Sequence, residues 1–156
     1  MEILEIKDLE TLAKKRVPKM FFDYVNSGSW TETTYNENVS DFQKIKLRQR
    51  VAIDMSNRTL ETKMINQPVS MPVAIAPTGL TGMQRADGEI LAAQAAEEFG
   101  IPYTLSTMSV CSIEAVAEKT KKPFWFQLYV MKDKKFMERL IAVSYTHLTL
   151  PTTYTV

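Results

Sequence analysis

The sequence predicts an α/β fold built from repeated β-α steps, and three observations predict it. A short apolar run, Val73-Ala74-Ile75-Ala76, stops at Pro77 and is followed by a turn and a helical pattern. Two further apolar runs, Ile101–Leu105 and Phe124–Leu128, are each followed by a polar loop and a helical pattern. The runs recur about every 25 residues, the spacing of one strand plus one crossover helix. Continuous apolar runs read as strands buried on both faces, as in a parallel sheet. In such folds ligands sit beyond the carboxyl ends of the strands, so Pro77, Thr78 and Gly79 form a candidate binding edge.

The lead-in before the first run is helical. Asp8 opens a short segment over 9–15, and Pro18 suits the first turn of a second helix that runs to Val25 and stops at Gly28. Residues 29–38 read as polar loop or a frayed helix start, 45–53 as a partly alternating extended segment, and 54–71 as a connector with strand character near Lys63-Met64-Ile65. In the first step the helix spans 89–99 and closes at Gly100. In the second, Ser112 caps a helix over 112–119 that turns Ile113, Val116 and Ala117 inward. In the third, the helix covers 134–142. Residues 1–70 are thus cap and lead-in, and 71–143 the first three β-α units.

The last 13 residues, 144–156, contain five threonines and the single histidine, His147, while all 37 charged residues precede them. They read as a tail foreign to the pattern rather than as an irregular fourth strand. With 156 residues, 45% apolar content and a net charge of +1, the composition is that of one globular domain. It gives no reason to expect nucleic acid or an anionic membrane as partner. The single cysteine, Cys111, forms no internal disulfide, and the first residues hold no apolar signal core. No run reaches the ~20 apolar residues of a membrane span. A cytoplasmic location and no metal site are the expectations.

Each step sets polar groups at the end of its strand: Thr78 and Gly79, then Ser106, then Gln127 and Tyr129. Singly each reads as a cap, a turn or a half-buried aromatic; together they converge on one rim and favour a ligand site. The glycines spell neither a dinucleotide fingerprint nor a phosphate loop. Gly79 allows a flat ligand close to the backbone, and Ser106 and Gln127 offer donors and acceptors for the polar edge of a heterocycle. Tyr24, with Phe21 and Val25 on its face, reads as a core aromatic. Met108 reads as a loop-end core residue, Cys111 as an unactivated thiol, and His147 as a poor candidate base.

Five segments in order resemble the FMN-dependent 2-hydroxy-acid dehydrogenases and oxidases. They are F-D-Y-V-N-S-G-S-W-T-E at 22–32, M-P-V-A-I-A-P-T-G at 71–79, D-G-E at 87–89, L-S-T-M-S at 105–109 and F-Q-L-Y at 126–129. Thr78-Gly79 and the run Ser106–Cys111 are most similar to the bacterial L-lactate-dehydrogenase-like branch. The resemblance implies a (β/α)8 TIM barrel, here its helical cap and about the first three β-α units, with FMN at the carboxyl face. It implies backbone contacts from Pro77, Thr78 and Gly79 to the flavin ring, and hydrogen bonds to the flavin from Ser106 and Gln127. It places substrate against Tyr24 and Tyr129, with Tyr24 on the carboxylate, and gives Met108 a part in substrate selection.

The implied chemistry moves two electrons from the alpha carbon of a 2-hydroxy acid, lactate first, to flavin, which a quinone, a cytochrome or oxygen reoxidises. The resemblance also implies a homo-oligomer, either cytoplasmic or peripheral on the inner face of the plasma membrane. The catalytic histidine, arginine and lysine of the family belong to later strands, and no residue here is assigned their roles. Thr155 lies near the place of a flavin-contacting threonine, but its surroundings do not match and it is not assigned. A barrel takes ~250 residues, so these residues alone are expected to fold poorly and not to turn over. Two other readings stand beside this one: a non-catalytic binding fragment with an open sheet edge, and an FMN barrel of different substrate.

Overall fold

A computed structural model describes residues 3–147, and the chain divides into two compact units, Met1–Arg58 and Thr59–Val156. The first unit is helical. Helix α1, Ile6–Arg16, opens with a reciprocal capping box in which Glu5 and Asp8 satisfy each other's backbone N–H groups. Asp8 also accepts from the Leu4 N–H, and these backbone donors hold its carboxyl below the ordinary range. Helix α2, Lys19–Val25, starts after Pro18 and buries Phe22. Helix α3, Thr33–Ser40, runs into a 3-10 turn at Asp41–Lys44, so the frayed start expected near 29–38 is a formed helix. The extended segment expected over 45–53 forms no strand. Its alternation is incomplete, and every one of its residues is exposed, so it has no face to bury.

The second unit begins with an antiparallel hairpin, β1 (Thr62–Met64) and β2 (Gln67–Val69). Its two-residue turn, Ile65-Asn66, has φ of 46° and 62°, the doubly left-handed geometry that matches strand twist. The strand character expected near Lys63-Met64-Ile65 is β1, while β2, which contains Pro68, lies in what reads as connector. A two-stranded ribbon tolerates a proline where it lacks a donor duty.

The three β-α steps are present, with unequal strands. A short helix α4, Thr81–Gln84, precedes α5, Gly88–Phe99, which ends at Gly100 with φ of 70°. Strand β3, Thr104–Ser106, pairs in parallel with β4, Trp125–Gln127. Helix α6, Ile113–Glu118, carries the expected Ser112 cap: the side chain accepts from the Ala115 N–H at 3.1 Å. Helix α7, Lys134–His147, runs five residues past the expected end at Ala142. Ser144 is buried there and returns its hydroxyl to the Leu140 carbonyl at 2.8 Å. Residues 148–156, Thr155 among them, lie outside the described residues.

The first apolar run is not a full strand. Ile75 alone bridges in parallel to Tyr103, through Ile75 N–H to Pro102 O at 2.9 Å and Thr104 N–H to Ile75 O at 3.1 Å. Pro72 and Pro77 bring no N–H to a ladder, and the Val73 N–H is spent on Met71 O. Nor is the run buried on both faces, since Val73 is 50% exposed; among the described residues Ile75 pairs on one side only. The core gathers Ala93 and Ala96 of α5, Tyr103 and Leu105 at β3, Ile113 and Val116 of α6, and Phe124, against which Leu140 and Val143 of α7 pack.

Candidate functional site

Parallel register puts Ser106 of β3 directly beside Gln127 of β4 at the carboxyl end of the sheet. The buried Ser106 hydroxyl donates to Gln127 Oε1 at 3.1 Å and accepts from the Met108 N–H at 3.1 Å. One hydroxyl therefore ties a strand end to its own loop and to the neighbouring strand. The Thr107 hydroxyl donates to the Gln127 carbonyl and accepts from the Tyr129 N–H at 3.0 Å. Leu80 N–H, in the loop after the Ile75 bridge, donates to Met108 O at 2.9 Å. All three loops of the rim are thus linked by hydrogen bonds.

Hydrogen bonds connect Ser106, Met108, Gln127 and, through Thr107, Tyr129, and Leu80 N–H to Met108 O ties in the loop that begins with Pro77, Thr78 and Gly79. Tyr24 stands on α2 of the first unit with its side chain 52% exposed, which is not the core aromatic its spacing suggested. Met108 is 46% exposed, so it is a surface of the rim and not the core residue the loop end suggested. Gly79 is not required by backbone geometry, because Leu80 takes the left-handed conformation with φ of 55°.

The donor set fits a flat heterocycle with a polar edge. Gln127 directs its oxygen to Ser106, and among the described residues its amide Nε2 has no acceptor, leaving two N–H donors for a carbonyl of a bound ring. Pro77 and Gly79 offer a stretch of chain with little side chain to hold a ring away. Such a rim can bind and orient; among its side chains none is a base poised near neutral pH.

Glu89, which in the sequence opens a helix and ends the D-G-E segment at 87–89 without a site role, is part of the same framework. It has no exposed surface, and its Oε1 accepts from the N–H groups of Gly82 and Val110, each at 2.9 Å. Burial pushes its carboxyl up, but the N–H groups of Val110, Gly82 and its own residue, with the Cys111 thiol, bring it below the ordinary range. Oε2 accepts no hydrogen bond of ordinary length; the weakly donating Cys111 thiol is directed to the carboxylate. Burial and the adjacent Glu89 charge push that thiol up, in keeping with an unactivated cysteine. The signal in the sequence is Asp87-Gly88-Glu89, an acid in the first turn of a helix, directly before the apolar run Ile90–Ala93.

The sequence profile of the FMN-dependent dehydrogenase family matches residues 13–146. An L-lactate dehydrogenase of Acinetobacter baylyi is 49% identical over 141 residues, covering 90% of this chain and 37% of that protein. One of Acinetobacter baumannii is 51% identical over 134 residues, covering 86% and 35%. A soluble mutant of the membrane-associated (S)-mandelate dehydrogenase from Pseudomonas putida superposes with a TM-score of 0.87 at 34% identity, covering 94% of this chain and 42% of that one. A structure of the monotopic membrane protein (S)-mandelate dehydrogenase superposes with the same score and identity, covering 96% and 40%. The chain therefore spans little more than a third of the length of the curated relatives it matches. The β-α units described above are those of a (β/α)8 barrel, of which the described residues form a part that does not close.

Proposed function

The chain belongs to the FMN-dependent dehydrogenases, and from that premise we propose that the whole protein oxidises an L-2-hydroxy acid, lactate first, to the 2-oxo acid. The observation that carries the reading is the hydrogen-bonded rim at the carboxyl ends of the strands, where Gln127 Nε2 is left with donors to give. Relatives at about half identity are named for lactate, and structural neighbours for mandelate. Both are 2-hydroxy acids.

FMN supplies the two-electron acceptor for the substrate's alpha carbon. Pro77, Thr78 and Gly79 hold the ring by backbone contact, and Ser106 and Gln127 fix its polar edge. Because Ser106 donates to Gln127, its hydroxyl orients the amide that meets the ring. Met108 and Tyr129, each half exposed, border the space where substrate lies. The base that takes the hydroxyl proton, the arginine that clamps the carboxylate and the lysine that supports reduced flavin are not among these 156 residues. These residues alone therefore bind FMN weakly and do not turn over.

Reoxidation falls to a quinone, a cytochrome or oxygen. Among the described residues no helix is long and apolar enough to cross a membrane. A protein of cytoplasmic location with peripheral attachment to the inner face of the plasma membrane accords with the membrane-associated neighbours. The test is the purified full-length protein mixed anaerobically with L-lactate. Bleaching of a flavin absorbance band supports the reading; a colourless protein, or a band indifferent to lactate and other 2-hydroxy acids, overturns it.

A further inference from the structure

Two links join the loop after the Ile75 bridge to the loop after β3, and they fall in register. Leu80 N–H meets Met108 O, and two residues further along each segment, Gly82 N–H in α4 and Val110 N–H in the loop meet the same oxygen of Glu89. Glu89 Oε1 here does the work of a backbone carbonyl placed between two loops that both present N–H groups. A carboxylate suits the post. Two N–H donors converge on one oxygen, and Glu89 lies in the first turn of the 12-residue helix α5, where the helix dipole favours negative charge. Gly82 leaves the space, since a Cβ there would come to 3.0 Å from Glu89 Oε2 and 2.7 Å from the Val110 side chain.

One of these loops carries Thr78 and Gly79, on the flavin side of the rim. The other carries Met108, whose exposed side chain borders the substrate. We propose that Glu89 is a positioning residue that fixes Met108 relative to the flavin loop, and so sets how large a 2-hydroxy acid the site accepts. The inference rests on the reading of the rim as a flavin and hydroxy-acid site. With 80–82 linked to 108–110 at both ends, Met108 cannot slide along the chain that follows Gly79 without breaking a hydrogen bond. The left-handed Leu80 is held on both sides by the same pair of links. With Glu89 removed, two partly buried N–H groups lose their acceptor and one link between the two segments remains.

The experiment uses the full-length protein and the variants Glu89→Ala, Glu89→Gln and Met108→Ala. Two quantities are read: hydrogen exchange of the Gly82 and Val110 amides in the flavin-loaded protein, and the kcat/KM ratio of lactate to mandelate per bound flavin. Glu89→Ala is expected to speed exchange at both amides at least ~10-fold and to change the ratio at least ~5-fold, mainly through KM. Glu89→Gln, which keeps an acceptor oxygen, should hold both within ~2-fold, and Glu89→Ala should add nothing to Met108→Ala. A ratio per bound flavin equal to the parent's, with faster exchange, overturns the proposal and leaves Glu89 a purely structural brace. If Glu89→Ala does not accumulate folded, Glu89→Asp carries the same comparison: a shifted ratio supports the role and an unshifted one overturns it. A parent without lactate-dependent bleaching overturns instead the functional reading beneath it.

Discussion

At the carboxyl ends of the strands, Ser106, Thr107, Gln127 and the Tyr129 backbone are joined by hydrogen bonds. At the amino ends, the floor of a cavity of about 280 Å³ is made by Val69, Ala93, Ala96, Tyr103 and Phe124, with Gln67, Glu97 and Lys122 also lining it. The polar end is braced by directed bonds, each of which fixes an orientation. The apolar end carries hydrogen bonds as well, such as Lys121 N–H to Glu97 Oε2 at 2.9 Å, but its buried part is held by undirected contact, of which the tilted Tyr103–Phe124 ring pair, 6.2 Å between centroids, is one instance. The difference teaches where each kind of substitution should act. Changes at the amino ends should alter stability, and changes at the carboxyl ends should alter binding, as expected of a barrel with its chemistry on one face.

The largest effect belongs to the apolar end. In the full-length protein Phe124→Ala should cost about 3–5 kcal/mol of stability, since it removes a side chain only 3% exposed. Flavin affinity per folded molecule should stay within a factor of two. Denaturant titration and flavin fluorescence read the two quantities, and a loss of affinity alone would break the contrast between the ends. Gln127→Ala should do the reverse: affinity for FMN falls roughly tenfold, equivalent to about 1.4 kcal/mol. Its cost in stability should not exceed about 1 kcal/mol, the worth of the bond it accepts from Ser106. Ser112→Ala, away from both ends, removes the cap of α6 and should lower stability by about 1 kcal/mol with binding untouched.

The smallest effect is one of pH, and it probes the brace beneath the rim. The Glu89 carboxyl lies below its ordinary value of 4.5 in the folded protein. An acid depressed by folding adds stability that is fully present above the unfolded value and is lost as pH falls through the folded one. Acid unfolding followed by circular dichroism should therefore steepen below pH 4.5, and Glu89→Gln should flatten that part of the profile. An unchanged profile in Glu89→Gln would show that other carboxylates carry the acid sensitivity.

Much of this arrangement was legible in the chain. Helix α5 with its Gly100 stop, the Ser112 cap and the order of β-α steps depend on local signals, and these act within a few residues. The rim residues were legible too, because a strand's end names its own position once the apolar run is recognised. Three things were not. The Ile75 run pairs at one residue because its prolines and a local turn withhold N–H groups, a matter of which partner lies opposite. Helix α7 continues to His147, and Ser144, beyond the expected end, is buried, which its local sequence does not show.

Glu89 is the clearest case. By itself the sequence determined a β-α architecture, a helical lead-in and a polar rim, since propensity, capping and apolar periodicity are properties of neighbours along the chain. Only the tertiary structure decided that an acid in a helix's first turn would be sealed from water between Gly82 and Val110. Val110 lies 21 residues beyond Glu89, and nothing in local sequence shows which N–H groups a buried carboxylate will find at that distance. That choice is made by packing, which must satisfy every polar group it buries.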